Sequence, residues 1–248
     1  MNEEFFFSIF EGLPRQGPGS DACTAKAFSM IPDIPLDAEI LDIGCGSGMQ
    51  TLALARLCPH CRITASDIHQ PFLDDVMSRA KDAGLGERIR TVRASMDDLP
   101  FPEESFDLIW AEGSAFVMGF AEALAYWKKF LNQGGSMMMS DCVWFSDSPH
   151  SECREFFEKE YPAMKPEGVI REMILSAGYR ILGTFRLPDA DWWTHYYTPL
   201  SRRLDMLGKE HAGNDEGMSL ILMIRTELGI HKKYSSDYGY TYFVMRKG

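Results

Sequence analysis

The chain has 248 residues, 45% hydrophobic and 25% charged, with a formal net charge of −11. That composition supplies apolar material for a sizeable core, and the acidic balance repels phosphate backbones, which argues against a nucleic-acid partner. No apolar stretch approaches the roughly 20 residues that span a bilayer, and no basic run is longer than Lys232-Lys233.

In chain order, Phe5, Phe6, Phe7, Ile9 and Phe10 predict a packed amphipathic helix. The run carries no positive flank and no small-residue cleavage site of an export signal. Six cysteines at 23, 45, 58, 61, 142 and 153 are therefore expected as reduced thiols, and the chain as cytoplasmic. Arg15-Gln16-Gly17-Pro18-Gly19-Ser20 reads as a loop. From Ala38 onward short apolar runs alternate with helical patterns. AEILDIG is a strand, MQTLALARL a helix and RITASD a second strand. Pro71 sits in the first turn of a helix with Phe72, Leu73, Val76, Met77 and Ala80 on one face, stopped at Gly84. RIRTVRAS and FDLIWAEG are the third and fourth strands. Phe120, Leu124, Trp127 and Leu131 mark another helix ended by Gly134-Gly135, and SMMMSDCVWF is the fifth strand. REMILSAG and YRILGTFRLP add a helix and a sixth strand, expected parallel to the first five. YTYFVMRKG is the last strand. Two helices near Leu200–His211 and Glu216–Lys232 lie between.

This rhythm predicts an α/β fold: a doubly wound, seven-stranded, mostly parallel sheet with an antiparallel last strand, plus a helical cap. One domain is expected over 1–248, with its core at about 22–188 and 238–248 and its cap from 1–21 and 189–237. Ligands then belong at the edge formed by the C-terminal strand ends.

The strongest local signal is Asp42-Ile43-Gly44-Cys45-Gly46-Ser47-Gly48 at a strand-to-helix junction. Glycines let the backbone turn sharply and approach a ligand closely, and the helix that follows aims its N–H groups at the turn. A dinucleotide turn, G-x-G-x-x-G, would need glycine at 49, where Met49 stands. The G-x-G-x-G spacing, with an acidic residue two before the first glycine, resembles motif I of class I (Rossmann-like) methyltransferases that use S-adenosylmethionine (SAM). The resemblance continues through Asp67 at the end of the second strand, Ala94-Ser95-Met96-Asp97-Asp98-Leu99-Pro100-Phe101 and Ser105-Phe106-Asp107-Leu108-Ile109. It covers about 38–145 and looks closest to the small-molecule branch that includes ubiquinone and menaquinone biosynthesis methyltransferases.

That resemblance implies SAM as cofactor and an unidentified small-molecule methyl acceptor. It implies Asp67 on the ribose hydroxyls, Asp97 and the Met96 N–H on adenine, and Asp42, Gly44, Cys45, Gly46, Gly48, Ile68 and Glu112 around the cofactor. Arg15 is a candidate partner for the methionyl carboxylate and Gln16 for cofactor or substrate, on a segment expected to fold over the site. No metal is expected. A non-catalytic SAM-binding protein and a NAD-dependent oxidoreductase are the alternatives.

Two further segments invite a functional reading. Cys58-Pro59-His60-Cys61 is a dithiol sequence, but it follows a helix, where the partial negative charge disfavours thiolate, so a surface loop is expected. Trp192-Trp193-Thr194-His195-Tyr196-Tyr197 begins where the sixth strand ends. Trp193, His195 and Tyr196 are therefore candidate acceptor-site residues, with the alternative that they pack the cap onto the sheet.

Overall fold

In the computed structural model, residues 3–211 and 215–248 are described; residues 1–2 and 212–214, assigned above to the cap, lie outside them. The chain runs α1 (Glu3–Phe10), α2 (Asp21–Ser29), β1 (Glu39–Ile43), α3 (Met49–Leu57), β2 (Arg62–Asp67), α4 (Gln70–Asp82), β3 (Ile89–Arg93) and β4 (Phe106–Glu112). It continues through α5 (Phe120–Trp127), β5 (Leu131–Trp144), α6 (Ser151–Glu160), β6 (Lys165–Pro166), α7 (Glu167–Ser176) and β7 (Tyr179–Arg186). The cap follows as α8 (Asp189–Trp192), a π-helical turn (Trp193–Tyr197), α9 (Thr198–Glu210) and α10 (Asp215–Tyr234), and β8 (Tyr238–Lys247) closes the sheet.

Strand order is β3-β2-β1-β4-β5-β8-β7. The pairs among β1 to β5 are parallel. β8 runs antiparallel to both β5 and β7, so β7 points the same way as β1–β5, as expected. Successive side chains take opposite faces of a strand. Ile40, Leu108, Met138 and Val244 face one core with α1–α4 and the cap. Leu41, Ile109, Met139 and Met245 face the other with α5 and α7. Both faces are covered, which is why the strands read as continuous apolar runs.

The structure departs from the sequence reading in several elements. An eighth strand, Lys165–Pro166, pairs with Val143 and Trp144; two residues carry no periodicity to read. The fifth strand starts at Leu131 and passes through Gly134–Gly135, because its register on β4 jumps between Phe106 and Leu108. Helix α6 has only Cys153 and Phe157 buried, too sparse a stripe to stand out.

The expectation of six reduced thiols is corrected. Cys58 and Cys61 form a disulfide with Cα atoms 5.4 Å apart, and the other four cysteines are free and buried. The bridge sits in the α3–β2 connection, where Arg88 donates to the carbonyls of Ala55, Cys58 and Cys61. The sequence reading lacked this spatial closure, since it judged the pair only from compartment and helix end.

The cap is an aromatic slab. Trp192 stacks on His231 at 4.1 Å and meets Tyr240 at 5.2 Å. Burial, opposed by Asp189, holds His231 below its ordinary pKa. The N-terminal helix joins this layer: Arg203 Nη2 on α9 donates to the Ser8 carbonyl at 2.9 Å. Among the described residues no helix is long and apolar enough to cross a membrane.

On the opposite face Trp127 is fully buried and its indole donates to the Met96 carbonyl at 2.9 Å. Trp127→Ala should therefore lower unfolding free energy by about 3–5 kcal/mol in a denaturant titration, with the m-value unchanged.

Candidate active site

The glycine turn joins β1 to α3. Gly44, Gly46 and Gly48 adopt φ of +66°, +52° and +81°, a region that L side chains disfavour. A Cβ at Gly46 would stand 2.5 Å from Gln16 Oε1. That oxygen accepts from the Ser47 N–H at 2.7 Å, while the Gln16 amide donates to the Phe10 and Leu13 carbonyls. The Arg15–Ser20 segment thus begins directly on the turn. Arg79 on α4 ties the same region down, donating to Ser47 and to the Pro14 carbonyl.

Asp67 lies at the end of β2 beside the turn. Its Oδ2 accepts from Gly46 N–H at 3.0 Å and its Oδ1 from His69 N–H at 2.9 Å. Burial raises its pKa, and those backbone bonds work against the rise. Ile68, next to it, is an exposed large apolar side chain. Met96 brings its terminal methyl to 3.6 Å from the Cβ position of Gly44. Asp97 is exposed and accepts from Ser95 Oγ. The elements carrying Gly44–Gly48, Asp67, Ile68, Met96 and Asp97 therefore meet along one edge.

Other predicted residues lie deeper. Asp42 is fully buried beneath the turn, accepting from Thr51 Oγ1 at 2.5 Å and Gln50 Nε2 at 3.4 Å, so it braces α3 against β1. Burial raises its pKa to about 7. Cys45 is also buried, and burial pushes its thiol up. Glu112 is enclosed rather than facing open space. It accepts from Thr24 Oγ1 at 2.7 Å, Trp110 Nε1 at 2.9 Å, Arg15 Nη1 at 3.2 Å and Tyr242 OH at 3.3 Å. Arg15 is 5% exposed and also pairs with Asp21 at 2.9 Å. Burial opposes its charge, but Glu112, Tyr242 and Asp21 together outweigh that and raise its pKa. The guanidinium is thus engaged by two carboxylates.

The aromatic segment divides. His195 is exposed, Trp193 is half-buried against Tyr197, and Tyr196 is buried and stacked on Tyr197 at 5.1 Å. Trp192 is the member that reaches the sheet edge, through Tyr240, whose ring lies 3.0 Å from the Cβ position of Gly113. The cap and the Arg15–Ser20 segment meet where Ser20 Oγ donates to Asp191 at 2.8 Å.

Sequence reasoning missed Gln50, Thr51, Thr24 and Tyr242, polar partners without a motif of their own. It also missed Asp141 and Tyr161 at the end of β5. Asp141 is 2% exposed, accepts from Tyr161 OH at 3.0 Å and from Cys142 N–H at 2.7 Å, and burial raises its pKa to about 7. An acidic residue inside an apolar strand was the available signal. Among the described residues no group of three His, Cys, Asp or Glu side chains could hold a metal.

Residues 40–135 match the methyltransferase domain family. A ubiquinone/menaquinone biosynthesis C-methyltransferase from Hahella chejuensis is 33% identical over 104 residues, 41% of this chain and 42% of that protein. A U6 snRNA (guanine-N(2))-methyltransferase from Bos taurus is 28% identical over 126 residues, 49% of this chain and 25% of that one. The chain thus spans less than half the length of these relatives. A SAM-dependent methyltransferase from Geobacter sulfurreducens, solved with S-adenosyl-L-homocysteine, superposes with a TM-score of 0.82 at 15% identity, covering 99% of this chain and 98% of that one. Residues 40–135 thus resemble a methyltransferase domain, and the chain shares the Rossmann-like fold of the solved SAM-dependent methyltransferase.

Asp42 and Asp141 both have folded-state pKa values of about 7, above the ordinary 3.8. The folded state then binds the extra protons, so their contribution to stability is complete below about pH 4 and lost as pH rises to about 7. Tm should fall between pH 5 and pH 8, and Asp42→Asn, which keeps a partner for Thr51, should flatten that slope in calorimetry. An equal slope in wild type and variant would show that Asp42 is ionised throughout.

Proposed function

We propose that this chain is a SAM-dependent methyltransferase acting on a small molecule. The observation that carries the reading is the junction of Asp67 with the left-handed Gly44–Gly48 turn at the N-terminus of α3. Its donor set fits the cofactor. The Asp67 carboxylate suits two ribose hydroxyls, and the exposed Ile68 offers an apolar platform for a flat base. Met96 and Asp97 supply a backbone N–H and an acceptor at the same edge. The α3 N-terminus favours a carboxylate, while Arg15, held by Glu112 and Asp21, fixes its segment over the turn.

Bound SAM would supply an electrophilic methyl on sulfur. The chain's own task is then to hold the acceptor's nucleophilic atom in line with that methyl, which is catalysis by positioning. Arg15–Ser20 and the cap would exclude water, strengthening local electrostatics. Asp42 and Glu112 serve by fixing α3, α2 and β8 around the turn, and Cys45 by filling space beneath it. Trp193 and His195 are assigned to the cap, with Tyr196 and Trp192 toward the acceptor.

The RNA-modifying relatives raise an RNA acceptor as a second reading. A net charge of −11 opposes it, since phosphate contacts require clustered cations.

Calorimetry should detect binding of SAM and S-adenosylhomocysteine and none of NAD. Asp67→Ala should weaken that binding by about 2–4 kcal/mol with little loss of stability, because two hydroxyls lose a charged acceptor. Methyl-labelled SAM should label the small-molecule fraction of a cell extract and leave total RNA unlabelled. Labelled RNA would reverse the acceptor assignment, and NAD binding without SAM binding would remove the whole reading.

A further inference from the structure

At the C-terminal end of β5 a buried carboxylate is joined to an open cleft by one hydroxyl. Tyr161 lines a cleft of about 300 Å³ together with Trp144, Arg154, Phe157 and Met164. Its hydroxyl turns inward and donates to Asp141 Oδ2 at 3.0 Å. A series of contacts links this pair to the glycine turn. A Cβ at Gly44 would meet Ser114 Cβ at 2.5 Å, Ser114 Oγ donates to the Ile43 carbonyl at 2.8 Å, and Phe116, two residues on, meets Tyr161 with ring centroids 5.9 Å apart. Phe116 and Val117 are exposed large apolar side chains there, the surface an apolar acceptor body would cover.

Building on the methyltransferase reading, we infer that Tyr161 and Asp141 form a proton relay for the methyl acceptor, whose reacting atom is an ionisable O–H, N–H or acidic C–H. The acceptor loses its proton to the Tyr161 oxygen while the Tyr161 proton passes to Asp141 Oδ2. The new bond to the methyl carbon forms as the methyl–sulfur bond of the cofactor breaks, its electron pair remaining on sulfur. Asp141 ends neutral and returns its proton to solvent when product leaves.

The groups facing the pair suit this step. Burial raises Asp141 to about 7, against the hydrogen bonds of Tyr161 and Cys142 N–H, near the value a general base needs. Burial, then Asp141, holds the Tyr161 phenol protonated. From β8, Tyr240 has its own pKa raised by burial and then by Cys142 and Asp141. From β7, the Arg186 guanidinium is taken by Glu167 at 2.9 Å and covers the Phe145 ring. Glu158 and Arg154 line the cleft outside Tyr161.

The test compares wild type, Tyr161→Phe, Asp141→Asn and Asp141→Glu. S-adenosylhomocysteine affinity is measured by calorimetry, and transfer of labelled methyl to the small-molecule fraction of a cell extract is measured from pH 6 to 9. Tyr161→Phe and Asp141→Asn should keep affinity within about twofold and lose transfer by about 10²-fold or more. Asp141→Glu should recover part of it with a displaced acidic limb. Independently of any acceptor, ¹³C-aspartate NMR should show two carboxyls titrating near pH 7, Asp42 and Asp141, one of which disappears in Asp141→Asn. Transfer within twofold of wild type in both variants, or an Asp141 carboxylate ionised across pH 5 to 9, overturns the relay while leaving cofactor binding intact. Absence of S-adenosylhomocysteine binding in the wild type removes the methyltransferase reading on which it rests.

Discussion

The Glu112 carboxylate holds together parts of the chain that no local interaction would join. Four donors converge on it from the loop before α2, from α2, from β4 and from β8. A carboxylate taken out of water is costly, and the cost is offset only when its lone pairs are filled and a counter-charge is close. Arg15 supplies the charge, and Thr24, Trp110 and Tyr242 fill the remaining directions. Because the pair is enclosed, loss of either partner would strand a buried charge. The arrangement therefore resists partial opening, and it fixes the N-terminal segment over the glycine turn.

That constraint has a second consequence at the sheet edge. With Arg15 held by Glu112 and Asp21, Gln16 is presented to the turn and takes the Ser47 N–H. Gly46 must be glycine for this contact, since a Cβ would collide with the Gln16 side chain. On the far side of the turn Asp42 holds α3 through Thr51 and Gln50. The turn is thus gripped from above by the N-terminal segment and from below by β1. Its left-handed residues are part of a packed unit rather than a free loop.

The two faces of the sheet divide the labour. One face carries α1–α4 and the cap, and on it Glu112 and Tyr242 join the N-terminal segment to the core. Asp141 pairs in register with Thr241, one position past the Ser140–Tyr242 pair, and so turns to the opposite face. A shift of one residue along β5 thus separates the Glu112 network on one face from the Asp141 carboxyl, whose pKa burial raises to about 7, on the other.

The order of strands and helices and the glycine turn were legible in the sequence because each depends on local information: apolar periodicity, Pro71, Gly84 and the spacing of Gly44, Gly46 and Gly48. Asp67, Ile68, Met96 and Asp97 were assigned through the resemblance to the methyltransferase motifs, and right-handed parallel crossovers put the strand ends that carry them along one edge. Tertiary structure alone decided that Arg15 meets Glu112, that Trp192 rather than His195 reaches the sheet, that Cys58 closes on Cys61, and that Tyr161 bonds Asp141. Residues 15 and 112, or 192 and 240, are far apart in the chain, and the direction of a side chain at the end of an element is set by packing against its neighbours, for which the local pattern holds no record.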